Sequence, residues 1–229
     1  MDRRWQVFPD VTSVQAVARE RIAAAASEAI LARGAFHLVL AGGSTPRGLY
    51  ASLRDLETDW KAWHIYFGDE RVLPADDPER NSRMAHEAWL DQVPIPREQI
   101  HPIATEQGLD SSVRAYQTVM SRVDYFDLVL LGLGEDGHTA SLFPGQYWGE
   151  GDSAPDVLAV RNAPKPPPKR VSLSAHRLSR SRQVLFLVTG VGKRDAVSRW
   201  RREARIPALA IDPSSGVDVL LDAAASPDR

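Results

Sequence analysis

The sequence predicts an open α/β fold: a single domain over residues 1–229, built on a mostly parallel sheet with helices on both faces, in the Rossmann-like manner. Three features carry that expectation. Apolar runs of strand length, at 36–41, 63–67, 126–131 and 184–188, contain few polar breaks, as strands buried on both faces do. Longer segments with helical spacing lie between them, the alternation that parallel strands with crossover helices require. Glycine-rich turns directly follow strand runs, at Gly42-Gly43, Gly132-Leu133-Gly134 and Gly190-Val191-Gly192. No internal repeat is present, and no linker is long enough to divide the chain.

The first helix is expected over 13–33, where Val14, Val17, Ala18, Ile22, Ala25 and Ala29 recur at helical spacing. Thr12 and Gln15 have the form of a capping box at its start, and Gly34 supplies the stop. A strand over 36–41 follows, then a Gly-rich turn, a helix over 46–56 and a strand over 63–67. Helical patterns return at 81–91 and 111–122, before the strand at 126–131. Further strands are expected at 157–160, 171–174, 184–188 and 209–211, and a last helix over 193–203. The stretch Ala-Pro-Lys-Pro-Pro-Pro-Lys at 163–169 reads as a rigid loop within the fold. The Lys169-Arg170 pair at its end makes it a candidate rim for an anionic ligand.

Composition narrows the function classes. The 28 Lys and Arg residues against 30 Asp and Glu leave a net charge of −2, which argues against wholesale attraction to nucleic acid or an anionic membrane. No cysteine is present, so a disulfide framework is impossible and a reducing compartment suits the chain. With no long apolar run, the default expectation is a cytoplasmic location. No His-Glu-x-x-His or other compact ligand spacing suggests a metal.

Four segments can carry chemistry. Ala41-Gly-Gly-Ser-Thr-Pro-Arg47 joins a strand to a helix; Gly42, Gly43 and Ser44 there form either a phosphate cradle at a helix N-terminus or a simple capped turn. Phe67-Gly-Asp-Glu-Arg71 also follows a strand, so Asp69 and Arg71 are expected in the same crevice, unless they form only a structural ion pair. Leu131-Gly-Leu-Gly-Glu-Asp-Gly-His138 is the sharpest signal. A buried strand ends there in a loop carrying Asp136 and His138, and a histidine oriented by a carboxylate suits proton transfer near neutral pH. Thr189-Gly-Val-Gly-Lys193 repeats the strand–turn–helix pattern and places Lys193 where the helix dipole disfavours a cation. A bound phosphate would supply the counter-charge.

The combination resembles the family that joins the 6-phosphogluconolactonases to the glucosamine-6-phosphate deaminases. The segments at 41–46, 67–71, 81–82 and 132–144 carry the resemblance, with Arg170-Val-Ser-Leu173 and the late Gly-Val-Gly-Lys193. It implies hydrolysis of 6-phospho-D-glucono-1,5-lactone to 6-phosphogluconate in the oxidative pentose phosphate pathway, without cofactor or metal. The partner implied is the phosphorylated sugar lactone alone, bound by a monomer or small homo-oligomer. His138 matches the catalytic histidine. Arg71, Arg170 and Lys193 match basic positions around the phosphate, and Gly42, Gly43 and Ser44 the turn at that end of the pocket. Asp136 and Asp69 both remain eligible to hold the histidine or the water. Deaminases of the family carry a glutamate where this chain has Phe143 and a tyrosine where it has Arg71, so the motifs favour the lactonase branch. A deaminase or a non-catalytic sugar-phosphate sensor is the alternative.

Overall fold

In the computed structural model, which describes residues 2–227, the apolar runs pair into one parallel sheet. The chain enters through β1 (Arg3–Phe8) and α1 (Val11–Arg33), then β2 (Phe36–Leu40) and α2 (Ser44–Ser52). Next come β3 (Trp63–Phe67), the short β4 (Asp69–Arg71), α3 (Asn81–Ala88), β5 (Ile100–His101), α4 (Leu109–Met120) and β6 (Leu128–Gly132). The remainder holds β7 (Val157–Val160), β8 (Arg170–Leu173), α5 (Ala175–Ser179), β9 (Val184–Val188), α6 (Arg194–Arg201) and β10 (Val217–Asp222). The main sheet has seven strands in the order β1-β10-β9-β6-β2-β3-β5, parallel throughout. Strands β9 and β10 are buried at every position, so both faces of the sheet are covered. Among the described residues, no helix is long and apolar enough to cross a membrane.

The strand order contains a switch. From β2 the chain builds outward through β3 and β5, whereas β6, β9 and β10 grow in the opposite direction. Crossovers leaving adjacent strands in opposite directions open a crevice at the carboxyl ends of β2 and β6, where open α/β sheets bind ligands. The Gly42-Gly43 turn follows β2, and the His138 loop follows β6.

Two buried tyrosines define where the central strands stop. The Tyr50 hydroxyl, from α2, accepts from the Ala41 N–H at 2.9 Å and donates to the Ala41 carbonyl at 2.8 Å. Tyr116, from α4, does the same to Phe67 at 2.9 and 3.0 Å. Each phenol holds the backbone immediately before a turn of the crevice. Burial pushes both phenols above their ordinary pKa, so they remain protonated donors. Replacing Tyr116 with Phe removes the hydroxyl partner of the buried Phe67 N–H, and is expected to cost about 1–3 kcal/mol. A lowered urea midpoint at unchanged slope would register that loss.

Several expectations need correction. Thr12 does not cap α1: Asp10 accepts from the Ser13 N–H at 2.8 Å, and the Gln15 amide donates to the Thr45 carbonyl of α2. Gly34 does end the helix, at φ 77°. The stretch 209–211 is not a strand but lies in and beside a 3₁₀ turn, Pro207–Ala210. Three strands that the sequence did not predict complete the sheet: β10 and β1, whose charged residues hide them from an apolar-run search, and the two-residue β5. Arg4 of β1 donates to both carboxylate oxygens of Asp218 on β10, at 3.0 and 2.9 Å. Strands β7 and β8 exist as expected but lie outside the parallel sheet. They pair antiparallel with each other and with β4, in a separate three-stranded sheet.

Candidate active site

The small antiparallel sheet brings the second acidic motif to the crevice. Pairing of β4 with β8 sets Asp69 opposite Ser172 and Arg71 opposite Arg170. Because strand side chains alternate, Asp69 and Arg71 share a face and Glu70 takes the other. Glu70 is fully buried and accepts from the N–H groups of Asn81 and Ser82, each at 2.8 Å, and from the Ser82 hydroxyl. It therefore caps α3 and is structural. Asp69 accepts from the Ser141 hydroxyl and from the Asn81 amide at 3.2 Å. The same Asn81 amide donates to the Asp69 carbonyl at 3.0 Å. A Cβ on Gly42 would lie 2.0 Å from Asn81 Oδ1, so that glycine is needed for Asn81 to reach Asp69.

The β6 loop folds on itself to present His138. The Gly134 N–H donates to the His138 carbonyl at 2.7 Å, and the Gly137 N–H to the Gly134 carbonyl at 2.9 Å. Asp136 Oδ1 lies 3.1 Å from the His138 backbone nitrogen and 2.5 Å from Nδ1. An ionised carboxylate only accepts, so Nδ1 carries the proton and Nε2 is left as the free acceptor. Phe143 packs its ring 4.8 Å from the imidazole. Burial pushes the His138 pKa below its ordinary value; Asp136 and Asp69 oppose this, while Lys165 adds to it. Burial alone would raise the Asp136 carboxyl, but the attraction of His138 and its two N–H donors hold it below the ordinary range. A neutral imidazole beside a carboxylate is thus the form at neutral pH.

These pieces meet at a cavity of about 350 Å³. Of the residues singled out in the sequence, Gly42, Gly43, Asp69, Arg71, Arg170, Lys193 and His138 line it. Ser44 does not: it is the exposed first residue of α2, and its side chain does not cap that helix. Asp136 stands behind His138 rather than in the wall. Residues that the sequence did not single out as site residues also contribute. Asn81, Gly134 and Lys165 line the cavity, and Ser141 holds Asp69 from outside it. Lys169, the expected rim charge, is absent from the lining, and Lys165 takes that place. Asn81, Gly134 and Ser141 had a sequence signal, their positions in the family motifs at 81–82 and 132–144, whereas Lys165 had none.

Charge in the cavity is strongly unbalanced. Arg71, Lys165, Arg170 and Lys193 face a single carboxylate, Asp69. Arg71 donates to the Glu79 carbonyl, and its buried Nε has no hydrogen-bond partner. Burial pushes the pKa of Lys193 down, with Glu135 opposing and Lys165 assisting. The N-terminus of α2 opens beside this charge with no side-chain cap, leaving backbone donors and the dipole for an anion. Among the described residues, no group of three or more His, Asp or Glu side chains is arranged to hold a metal ion.

Comparison with known proteins identifies the family. The family model described as glucosamine-6-phosphate isomerases/6-phosphogluconolactonase matches residues 9–220. The chain is 39% identical over 212 residues to a 6-phosphogluconolactonase of Mycobacterium tuberculosis, covering 86% of this chain and 85% of the relative. Its fold is similar to the crystal structure of 6-phosphogluconolactonase from Thermotoga maritima, with a TM-score of 0.89, 25% identity and coverage of 96% and 100%. For 6-phosphogluconolactonase from Trypanosoma brucei the TM-score is 0.88, at 27% identity and coverage of 98% and 97%. With the family model spanning nearly the whole sheet and both crevice loops, the chain belongs to the glucosamine-6-phosphate isomerase and 6-phosphogluconolactonase family.

Proposed function

We propose that this protein hydrolyses 6-phospho-D-glucono-1,5-lactone to 6-phosphogluconate, the lactone-opening step of the oxidative pentose phosphate pathway. The observation that carries the reading is His138, held through Nδ1 by Asp136, beside a cavity with four cations and one carboxylate. Nε2 takes a proton from water as the water oxygen adds to the lactone carbonyl carbon. The tetrahedral intermediate then collapses, the bond from carbonyl carbon to ring oxygen breaks, and the imidazolium returns its proton to that oxygen. Backbone N–H groups of the Gly-rich loops stabilise the charge on the carbonyl oxygen. Asp69, fixed by Asn81 and Ser141, positions the water or a sugar hydroxyl. Arg71, Lys193 and the open end of α2 hold the phosphate, and Ser44 contributes there through its backbone.

Deamination of an amino-sugar phosphate needs repeated proton transfer between oxygen and carbon. The apolar Phe143, which the resemblance places where deaminases have a glutamate, offers no proton. The purified protein is therefore expected to accelerate loss of fresh lactone above its spontaneous rate and to release no ammonia from glucosamine 6-phosphate. Ammonia formation without accelerated lactone loss would overturn the assignment.

A further inference from the structure

The Pro-rich loop holds the site's least explained charges. Arg170 is buried, with 5% of its surface exposed, and lines the cavity. Yet one edge of its guanidinium turns into the loop: Nε donates to the Pro167 carbonyl at 3.2 Å, and Nη2 to the carbonyls of Lys165 and Pro166 at 3.2 and 3.1 Å. Its guanidinium lies 5.5 Å from the Phe143 ring centroid, and that ring packs against His138. Consecutive prolines have no N–H of their own to pair with these carbonyls, so the arginine satisfies them. The loop is also pinned at its ends, by the Ala163 N–H on the Pro168 carbonyl at 2.9 Å and the Val72 N–H on the Lys169 carbonyl at 3.0 Å. The outcome is that Lys165 and Pro166 reach the cavity while Lys169 does not.

We propose that Lys165 binds the substrate phosphate together with Lys193, and that Arg170 is a positioning residue that clasps the loop to bring Lys165 there. The proposal rests on the lactonase reading for the identity of the ligand. No hydrogen bond or ion pair to the Lys165 ammonium is present among the described residues. Its charge is felt at both Lys193 and His138, lowering the pKa of each. Two ammonium groups that repel one another across a shared cavity are suited to one bridging dianion. Arg170 has already committed one edge of its fork to carbonyls and cannot offer that edge to phosphate.

The test compares Lys165→Ala, Lys165→Arg, Arg170→Ala, Arg170→Gln and the double variant Lys165→Ala/Arg170→Ala. Binding of inorganic phosphate is measured by calorimetry, and the His138 ring is titrated by NMR; neither needs turnover. Lys165→Ala should weaken phosphate binding roughly 10–100-fold, the scale for a charge-assisted contact. It should also raise the His138 pKa, because the groups left facing the ring are Asp136 and Asp69, and Lys165→Arg should restore both values. Arg170→Ala should reproduce the Lys165→Ala result, and the double variant should add little to either single change. Arg170→Gln, which can still donate to loop carbonyls without a charge, should retain more affinity than Arg170→Ala. Wild-type phosphate binding and an unmoved His138 titration in Lys165→Ala would overturn the role of Lys165. Additive losses in the double variant, or equal losses in Arg170→Gln and Arg170→Ala, would return Arg170 to direct phosphate binding. If Arg170→Ala fails to fold, the Lys165 variants and Arg170→Gln decide the matter. Failure of the lactone assay with these binding results intact would reject the reaction and leave the anion site standing.

Discussion

Replacing His138 with alanine is expected to lower turnover by about 10²–10⁴-fold, the range for loss of a general acid–base group. Phosphate binding and the fold should be retained, because the one short bond of the imidazole is to the Asp136 carboxylate of the same loop. The measurement is a progress curve with fresh lactone from which spontaneous hydrolysis is subtracted. His138→Asn keeps hydrogen-bonding capacity without proton transfer and should be as slow. The wild-type pH profile adds a second check. The base is the unprotonated ring, and burial lowers its pKa from the ordinary value of about 6.5. Activity should therefore be full at neutral pH and fall only as the pH drops through that lowered value. An acid limb at or above the ordinary value, or near-wild-type rates in both variants, would remove His138 from the chemistry.

Gly134→Ala should be almost as damaging. A Cβ at this position would sit 2.0 Å from His138 Nδ1, 2.2 Å from Cε1 and 2.7 Å from Asp136 Oδ1. The backbone of Gly134 is not among the glycines with positive φ, so alanine is acceptable to the chain itself. The conflict lies with the imidazole and its carboxylate, which cannot keep their 2.5 Å contact around a methyl group. A displacement of this size disorders the acid–base pair, and a rate loss of about 10²-fold is expected. Circular dichroism should show an intact fold. In a His138→Ala background, Gly134→Ala should cost little more, because the clashing ring is gone. A Gly134→Ala enzyme with normal turnover would show that the bond between His138 and Asp136 is dispensable.

Local sequence determined a large part of this protein. The apolar runs at 36–41, 63–67, 126–131 and 184–188 became neighbouring buried strands, because a segment apolar on both faces has no other stable place in an α/β fold. Glycine turns after parallel strands then had to gather at one edge of the sheet, which is why Gly42, Asp69 and His138 could be placed in one crevice. The Asp136–His138 pairing was within reach for the same reason, since two residues on a tight loop remain neighbours in space. The choice between Asp136 and Asp69 was not, because it depends on how each loop folds back.

Long-range pairing decided the rest. Strands β1 and β10 carry charges that look exposed until Arg4 and Asp218 meet across 214 residues of chain. Asp69 owes its place to β4 pairing with β8 and to Asn81 and Ser141, none of which its own motif specifies. Ser44 had the residue type of a ligand but an outward position on α2, while Lys165 had no motif and reached the cavity through a loop held by Arg170. Short-range patterns specify which residue types a turn presents, because backbone geometry and burial act over a few residues. Which of those side chains face a common ligand depends on contacts between distant segments, and here those contacts are hydrogen bonds made by buried polar groups that only the folded chain brings together.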